Sequence, residues 1–177
     1  MDSRLWKTNF AVLTIAEVVV DWYFDRVGFQ HIDPEAILCG TSAGGLATIL
    51  NCDKFKSYLP NDARVKCVAD AGFFINGKTI IGISYIEEMY RKIANLHGST
   101  KNLPSACTSA MEPSLCFFPQ NVVPYVQTPL FIINSIYDYW QINNTLVPPY
   151  LDPQHVWKDC IDNINNCTFG QRIIIQG

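Results

Sequence analysis

The sequence lacks the features that assign a chain to several common classes. No two cysteines have the Cys-x-x-Cys spacing typical of zinc sites. Basic residues are not in excess, since 13 Lys and Arg against 16 Asp and Glu leave a net charge of −3. The longest apolar stretch, Phe10–Val20, contains Glu17 and is too short to cross a bilayer. We therefore expect no metal site, no nucleic-acid partner and no membrane span, and we interpret Phe10–Val20 as part of a buried or amphipathic helix.

Cysteine, in contrast, is abundant for a chain of 177 residues. Two N-glycosylation sequons accompany the cysteines, Asn143-Asn144-Thr145 and Asn166-Cys167-Thr168. Together they favour an oxidising, secretory compartment, although a cytosolic protein with buried free cysteines remains the alternative. The count is odd, so at least one cysteine has no partner within the chain; the seven are Cys39, Cys52, Cys67, Cys107, Cys116, Cys160 and Cys167.

Strand-like and helix-like segments alternate along the chain. This alternation predicts one α/β domain with a mostly parallel sheet and flanking helices. Residues 99–129 show little periodicity, and we expect a long loop there, held by a disulfide. The predicted elements are a helix over residues 4–27 that stops at Gly28, strands at Glu35–Gly40, Arg64–Asp70 and Pro129–Asp138, and helices at Ala43–Leu50 and Ile83–Gly98.

One short motif carries chemistry. Gly40-Thr41-Ser42-Ala43-Gly44 matches the Gly-x-Ser-x-Gly pattern, and it lies between a predicted strand and a predicted helix. This context is typical of a nucleophile elbow, in which a sharp turn exposes the serine hydroxyl. The N–H of the next residue, Ala43, then points to the oxyanion that forms during acyl transfer. The alternative is a serine in a tight glycine-rich turn without catalytic function.

A serine nucleophile needs a histidine base and an acid, in the chain order serine, acid, histidine. Asp138 follows the last predicted strand and is the preferred acid, whereas Asp70 is better explained as a turn or pocket residue. Only three histidines are available. His31 and His97 precede Asp138, and His155 has the right order but lies in a proline-rich loop, so it is a weak candidate.

Several stretches in the same order resemble the plant pectin acetylesterases, the family that also contains the animal Notum carboxylesterases. They are "SAGGLATILNCD", "VKCVADAGFF", "HGSTKNLPSACTS", "LCFFPQNVVPYVQTPLFIINSIYDYWQI" and "DPQHVWKDC". The resemblance covers residues 36–177, and residues 1–35 match only loosely. It implies an α/β-hydrolase-like fold, no cofactor, deacetylation of pectin (homogalacturonan) and an extracellular location in the cell wall.

The resemblance also implies the roles of individual residues. Ser42 matches the family's nucleophile, Asp138 its acid, and Ala43 one donor of the oxyanion hole. The family's histidine lies beyond a position equivalent to Gly177, and a second oxyanion donor lies upstream of Met1. We therefore expect a single partial domain over residues 1–177 that is truncated at both ends and nearly inactive by itself. The alternatives are an esterase for lipid or other acyl groups, as in the Notum branch, and a non-catalytic fragment that binds carbohydrate or another partner.

Three aromatic residues are candidates for the walls of a substrate pocket. Phe73, Phe74 and Trp140 follow the two strand-end aspartates and are either pocket walls or core residues.

Seven cysteines permit many connectivities. The simplest pairing leaves Cys39 free and joins Cys52 to Cys67, Cys107 to Cys116 and Cys160 to Cys167.

Overall fold

A three-stranded parallel sheet organises residues 35–176, the part of the chain that the computed structural model describes. Its neighbours follow chain order: β1 (Glu35–Thr41), β2 (Arg64–Asp70) and β3 (Leu130–Ile133). Because all pairs are parallel, the three strands end at the same edge of the sheet. The predicted α/β class with a parallel sheet is thus confirmed. The predicted helix over residues 4–27 and its stop at Gly28 lie outside the described residues.

The first helix, α1 (Ala43–Ser57), covers one face of the sheet. It begins where the sequence predicts and continues beyond Leu50. Its buried Ile49 packs with Ala69 of β2 in the main hydrophobic cluster. The opposite face is open among the described residues, since Ile37 is 66% exposed and Phe131 is 65% exposed.

The second long helix, α2 (Tyr85–His97), ends as predicted at Gly98. This glycine has φ 57°, the left-handed conformation of a helix C-cap. Within residues 35–176, no helix has the length and apolar character needed to cross a membrane. The shorter α-helices are α3 (Ser105–Thr108), α4 (Pro119–Val122), α5 (Tyr139–Gln141), α6 (Lys158–Asp162) and α7 (Phe169–Gln176).

Two sequence predictions need correction. Residues 99–129 were expected to form a long loop, but they form a series of short helical turns that begin at Ser99, Ser105, Pro113, Pro119 and Val123. Prolines start or precede most of these turns, because a proline at the first helical position loses no intrahelical hydrogen bond. Each turn has three to five residues, which is too short to produce a helical period.

The third strand is also shorter than predicted. It ends at Ile133, five residues before Asp138. Side chains take over the hydrogen bonding there: the amide oxygen of Asn134 accepts from the N–H of Phe73, and the hydroxyl of Ser135 accepts from the N–H of Tyr137. Such local bonds turn the chain away from a continued strand.

The disulfide prediction is confirmed in full. The bonds are Cys52–Cys67, Cys107–Cys116 and Cys160–Cys167, and Cys39 is free and exposed. The first bond ties α1 to β2, the second closes the short turns against the main cluster, and the third lies in a smaller cluster around Trp157.

Candidate active site

Ser42 occupies a strained turn between β1 and α1. Its backbone angles are φ 57° and ψ −122°, a conformation that residues other than glycine rarely adopt. Holding such a conformation costs about 1–3 kcal/mol and persists only where the surroundings impose it. This is the backbone geometry expected of a nucleophile elbow.

The surroundings of Ser42 do impose the turn. The N–H of Ser42 donates to the carbonyl oxygen of Asp70 over 2.9 Å, which fastens the turn to the end of β2. Gly40 and Gly45 lie so close to other backbone that side chains would not fit. A Cβ on Gly40 would be 2.2 Å from the carbonyl oxygen of Gly44, and one on Gly45 would be 2.5 Å from that of Asp70. We call residues 40–45 the Ser42 turn.

The hydroxyl of Ser42 is available for chemistry. The residue is exposed, and its side chain makes no hydrogen bond to the described residues. Ala43 is the first residue of α1, so its N–H has no acceptor within the helix. The positive end of the helix dipole lies at the same point. An oxyanion formed at Ser42 would therefore meet both a free donor and a favourable field.

Asp138 caps the helix that follows β3. Its Oδ1 accepts from the N–H of Gln141 over 2.7 Å, and the residue is half-buried at the start of α5. No residue from 35 to 176 bonds its second oxygen, Oδ2. That oxygen can accept a hydrogen bond from an imidazole while the first one keeps the carboxylate oriented.

Strand register brings Ser42 and Asp138 to one edge of the sheet. Thr41, Asp70 and Ile133 are aligned across the three strands at their carboxyl ends. Ser42 directly follows the first of these residues, and Asp138 follows the last by five positions. In open α/β sheets this edge is where ligands and catalytic groups meet.

Asp70 acts mainly through its backbone. Its carbonyl holds Ser42, and its carboxylate accepts a long hydrogen bond of 3.4 Å from the hydroxyl of Thr41. The next residue, Ala71, has φ 48°, so the chain turns sharply after β2. This placement agrees with the interpretation of Asp70 as a turn residue.

Sequence reasoning missed the residues that fix the segment after β2. The side-chain amide of Gln141 bonds both backbone groups of Ile75, accepting over 2.9 Å and donating over 3.0 Å. Gln120 accepts from the N–H of Asn76 over 2.8 Å. The one available signal in the sequence was Gln141 itself, because an amide side chain three positions after Asp138 can cap a turn or bond a neighbouring loop.

The aromatic residues divide between the core and the edge. Phe73 packs against the main hydrophobic cluster. Phe74 meets Trp140 edge-to-face, with ring centroids 5.0 Å apart and an interplanar angle of 67°. Trp140 remains 40% exposed. This ring pair therefore connects the segments that follow β2 and β3, next to Asp138.

Neither histidine in the described range is hydrogen-bonded to Ser42 or Asp138. His97 is the exposed last residue of α2. His155 is exposed and has φ 56°, in a turn whose N–H groups are bound by the buried carboxylate of Asp152. His31 lies outside the described residues. Among residues 35–176, then, no imidazole is hydrogen-bonded to the serine.

Two further features of the described residues bear on binding. Residues 35–176 contain no group of three or more His, Cys, Asp or Glu side chains placed to hold a metal ion. A cavity of about 440 Å³ lies along the C-terminal half of α1, away from Ser42. Ile49 and Asp53 line it on one side and residues 101–106 on the other.

The family model described as Pectinacetylesterase matches residues 34–177. Pectin acetylesterase 11 of Arabidopsis thaliana is 55% identical over 142 residues, and pectin acetylesterase 7 of the same plant is 54% identical. Each alignment covers 80% of this chain and 36% of the relative, so the chain spans about a third of the length of these relatives.

The animal branch is more distant. The palmitoleoyl-protein carboxylesterase NOTUM of Drosophila melanogaster is 29% identical over 128 residues, which is 68% of this chain and 19% of that protein. A solved structure of the Wnt deacylase Notum from Drosophila matches with a TM-score of 0.66 at 24% identity, over 85% of this chain and 47% of the other. The structural likeness confirms the predicted α/β-hydrolase-like fold. With the family match over residues 34–177, it follows that the chain belongs to the pectinacetylesterase family.

Proposed function

We propose that this chain carries the nucleophile and acid of a serine carboxylesterase that removes acetyl groups from pectin. The observation that carries the proposal is the strained, exposed Ser42 with a free hydroxyl, on the same sheet edge as Asp138. Family membership supports the ester-hydrolase class, and the two plant relatives named pectin acetylesterases support the substrate.

The proposed reaction is a double displacement. The Oγ of Ser42 attacks the acetyl carbonyl while a histidine base takes its proton, and the N–H of Ala43 stabilises the oxyanion. The sugar oxygen leaves with that proton, which gives an acetyl-serine and a free pectin hydroxyl. Water then releases acetate by the same route. Asp138 orients the imidazolium through Oδ2, the oxygen that its helix cap leaves open.

The histidine base is the remaining component of the site, since neither histidine of residues 35–176 is hydrogen-bonded to Ser42 or Asp138. We propose that a histidine outside this range completes the site, with His155 as the weaker candidate. Removal of one triad member leaves a small residual rate, because the oxyanion hole and substrate binding still act. Without that histidine, residues 35–176 should act only as a slow esterase.

Exogenous imidazole tests this arrangement directly. Acetate release from acetylated pectin by the full chain should rise with imidazole concentration if no histidine of the chain acts as the base, because a free imidazole can then take the position of that base. General-base catalysis contributes about 10²–10⁴-fold, which sets the upper limit of the rescue. Ser42→Ala, measured at the same imidazole concentrations, subtracts the hydrolysis that imidazole itself causes.

The variants distinguish the candidate bases. Asp138→Asn should reduce the rescue, and His155→Gln should leave it unchanged. Loss of the basal rate in His155→Gln would instead identify that residue as the base. Equal rescue of Ser42→Ala and the unaltered chain would refute the catalytic proposal and favour a non-catalytic binding fragment.

Substrate class and location are part of the same proposal. Higher activity on acetylated pectin than on an octanoate ester is expected, and the reverse preference would favour the Notum-like alternative. We also propose an extracellular, cell-wall location, which the three disulfides support. Fractionation of plant cells that express the tagged chain tests it, and retention in the cytosol would contradict it.

A further inference from the structure

The two glycosylation sequons have different environments. Asn166 is exposed at the end of a short 3-10 turn, Ile164–Asn166, and its side chain makes no hydrogen bond to the described residues. A glycan on its amide nitrogen would extend into solvent without displacing any contact. The folded chain therefore accommodates a modified Asn166.

The first sequon is built into the fold instead. Asn143 is half-buried in a π-helical turn, Ile142–Leu146. The threonine of this sequon, Thr145, is only 2% exposed, and its hydroxyl accepts from the side chain of Gln141 over 2.7 Å. The same glutamine clamps the segment after β2. A glycan on Asn143 would therefore crowd a turn that supports Asp138.

We propose that Asn166 carries an N-linked glycan and that Asn143 does not. The donor is an oligosaccharide linked to a lipid diphosphate. The Nδ2 of Asn166 forms a bond to C1 of the first sugar, the bond from C1 to the diphosphate oxygen breaks, and the amide loses one proton as the lipid diphosphate leaves. The glycan belongs on a solvent-facing residue of a secreted protein. This inference rests on the secretory location proposed above.

The structure also fixes the order of events around this sequon. Thr168 caps α7 in a capping box with Gln171: its hydroxyl accepts from the N–H of Gln171 over 3.3 Å, and the glutamine side chain accepts from the N–H of Thr168 over 2.8 Å. Cys167 is bonded to Cys160, and Arg172 donates to the carbonyl of Cys167 over 3.2 Å.

These contacts remove the freedom that a glycosylating enzyme needs. Transfer requires the threonine hydroxyl and the asparagine amide of an unfolded sequon to enter the enzyme together. In the folded chain the hydroxyl of Thr168 is engaged and the middle residue, Cys167, is cross-linked. Glycosylation at Asn166 must therefore precede closure of the Cys160–Cys167 disulfide, and the two reactions compete for the same segment.

The site is tested with the full chain, secreted from eukaryotic cells by an added cleavable leader. Glycopeptide mass spectrometry should find one glycan, lost in Asn166→Gln and kept in the matched Asn143→Gln. A glycan on Asn143, or none on Asn166, would overturn the assignment. Because the leader supplies entry to the secretory pathway, this result does not depend on the natural location, which the fractionation experiment tests separately.

The order is tested in a Thr168→Ser background, where serine makes a weaker acceptor and occupancy is partial. Adding Cys160→Ser leaves the sequon intact but prevents the disulfide, so the glycosylated fraction at Asn166 should rise severalfold. Cys107→Ser, which opens a distant disulfide, serves as the control and should not raise it. Equal occupancy with and without Cys160 would refute the competition.

Discussion

Replacing Gly45 by alanine tests what holds Ser42 in its strained conformation. The new Cβ would lie 2.5 Å from the carbonyl oxygen of Asp70 and 3.0 Å from the Cα of Gly72. Both contacts are to backbone, which cannot rotate away as a side chain can. Relief would require α1 to move from β2, and that movement would open the hydrogen bond from Ser42 to Asp70. The neighbouring Gly44 is the matched control, because a Cβ there would meet no atom within 4 Å.

The two substitutions should differ in sign. Alanine favours a helix over glycine by up to about 1 kcal/mol, so Gly44→Ala should be neutral or slightly stabilising. At Gly45 the same gain is outweighed by overpacking, about 1–3 kcal/mol, and by a weakened hydrogen bond, about 1 kcal/mol. A difference of about 2–4 kcal/mol in unfolding free energy is expected, or on the order of 4–16 °C in Tm for a chain of this size.

Thermal unfolding of the full chain, followed by circular dichroism with the disulfides intact, measures this difference. If the steric argument is right, Gly45→Ala melts well below Gly44→Ala, and its Ser42-dependent acetate release falls as well. Melting temperatures that agree within the error of the two scans would refute it, since the carbonyl of Asp70 would then be able to yield. Strong destabilisation by Gly44→Ala would refute it equally.

Three further predictions concern residues outside the Ser42 turn. Burial raises the pKa of Tyr90 to about 12, so its contribution to stability is present below pH 10 and is lost as the pH rises to 12. Unfolding free energy should fall by about 2–3 kcal/mol over that interval, and Tyr90→Phe should remove this part of the fall in urea titrations. Asp152→Ala leaves two N–H groups without acceptors and should cost about 2–3 kcal/mol in urea unfolding, whereas Asp152→Asn keeps one acceptor and should cost less. Gln141→Leu should cost about 1 kcal/mol in urea unfolding and increase hydrogen exchange at the N–H of Ile75, which loses its acceptor.

The parts of the fold with local sequence signals were predictable. β2 has the predicted bounds, Arg64–Asp70, because the apolar residues Val65, Cys67 and Ala69 alternate with more exposed residues, as is typical of a strand. The helix stop at Gly98 was predictable because glycine adopts the left-handed conformation of a helix C-cap without strain. The turn at Ser42 was predictable because the glycines of the Gly-x-Ser-x-Gly pattern allow neighbouring backbone to approach closely.

That pattern only partly identifies the glycines at which a side chain would clash. The Gly-x-Ser-x-Gly pattern includes Gly44, yet the crowded positions are Gly40 and Gly45. Gly45 matters because it faces Asp70 and Gly72, which lie more than twenty positions further along the chain. No local pattern contains such a contact, because it arises only when α1 packs on the sheet.

The surroundings of Asp138 were the least predictable part of the site. The sequence predicts this residue at the end of a strand. In the structure β3 ends five residues earlier, at Ile133, and Asp138 caps the short helix α5. Its neighbours Asn134 and Gln141 bond Phe73 and Ile75, which are separated from them by 61 and 66 positions. Amide side chains give no periodic signal, and their partners depend on how the strands align.

These long-range bonds show that the segment after β2 joins the two halves of the candidate site. The carbonyl of Asp70 holds Ser42, and the N–H of Ala71 donates to the carbonyl of Ile133 over 2.8 Å. Two residues later, the N–H of Phe73 donates to the side chain of Asn134 over 3.1 Å. Four consecutive residues, 70–73, thus bind the Ser42 turn on one side and Ile133 and Asn134, at the end of β3, on the other. The end of β2 therefore connects Ser42 to the end of β3, the strand that leads to Asp138, through contacts made entirely within residues 35–176.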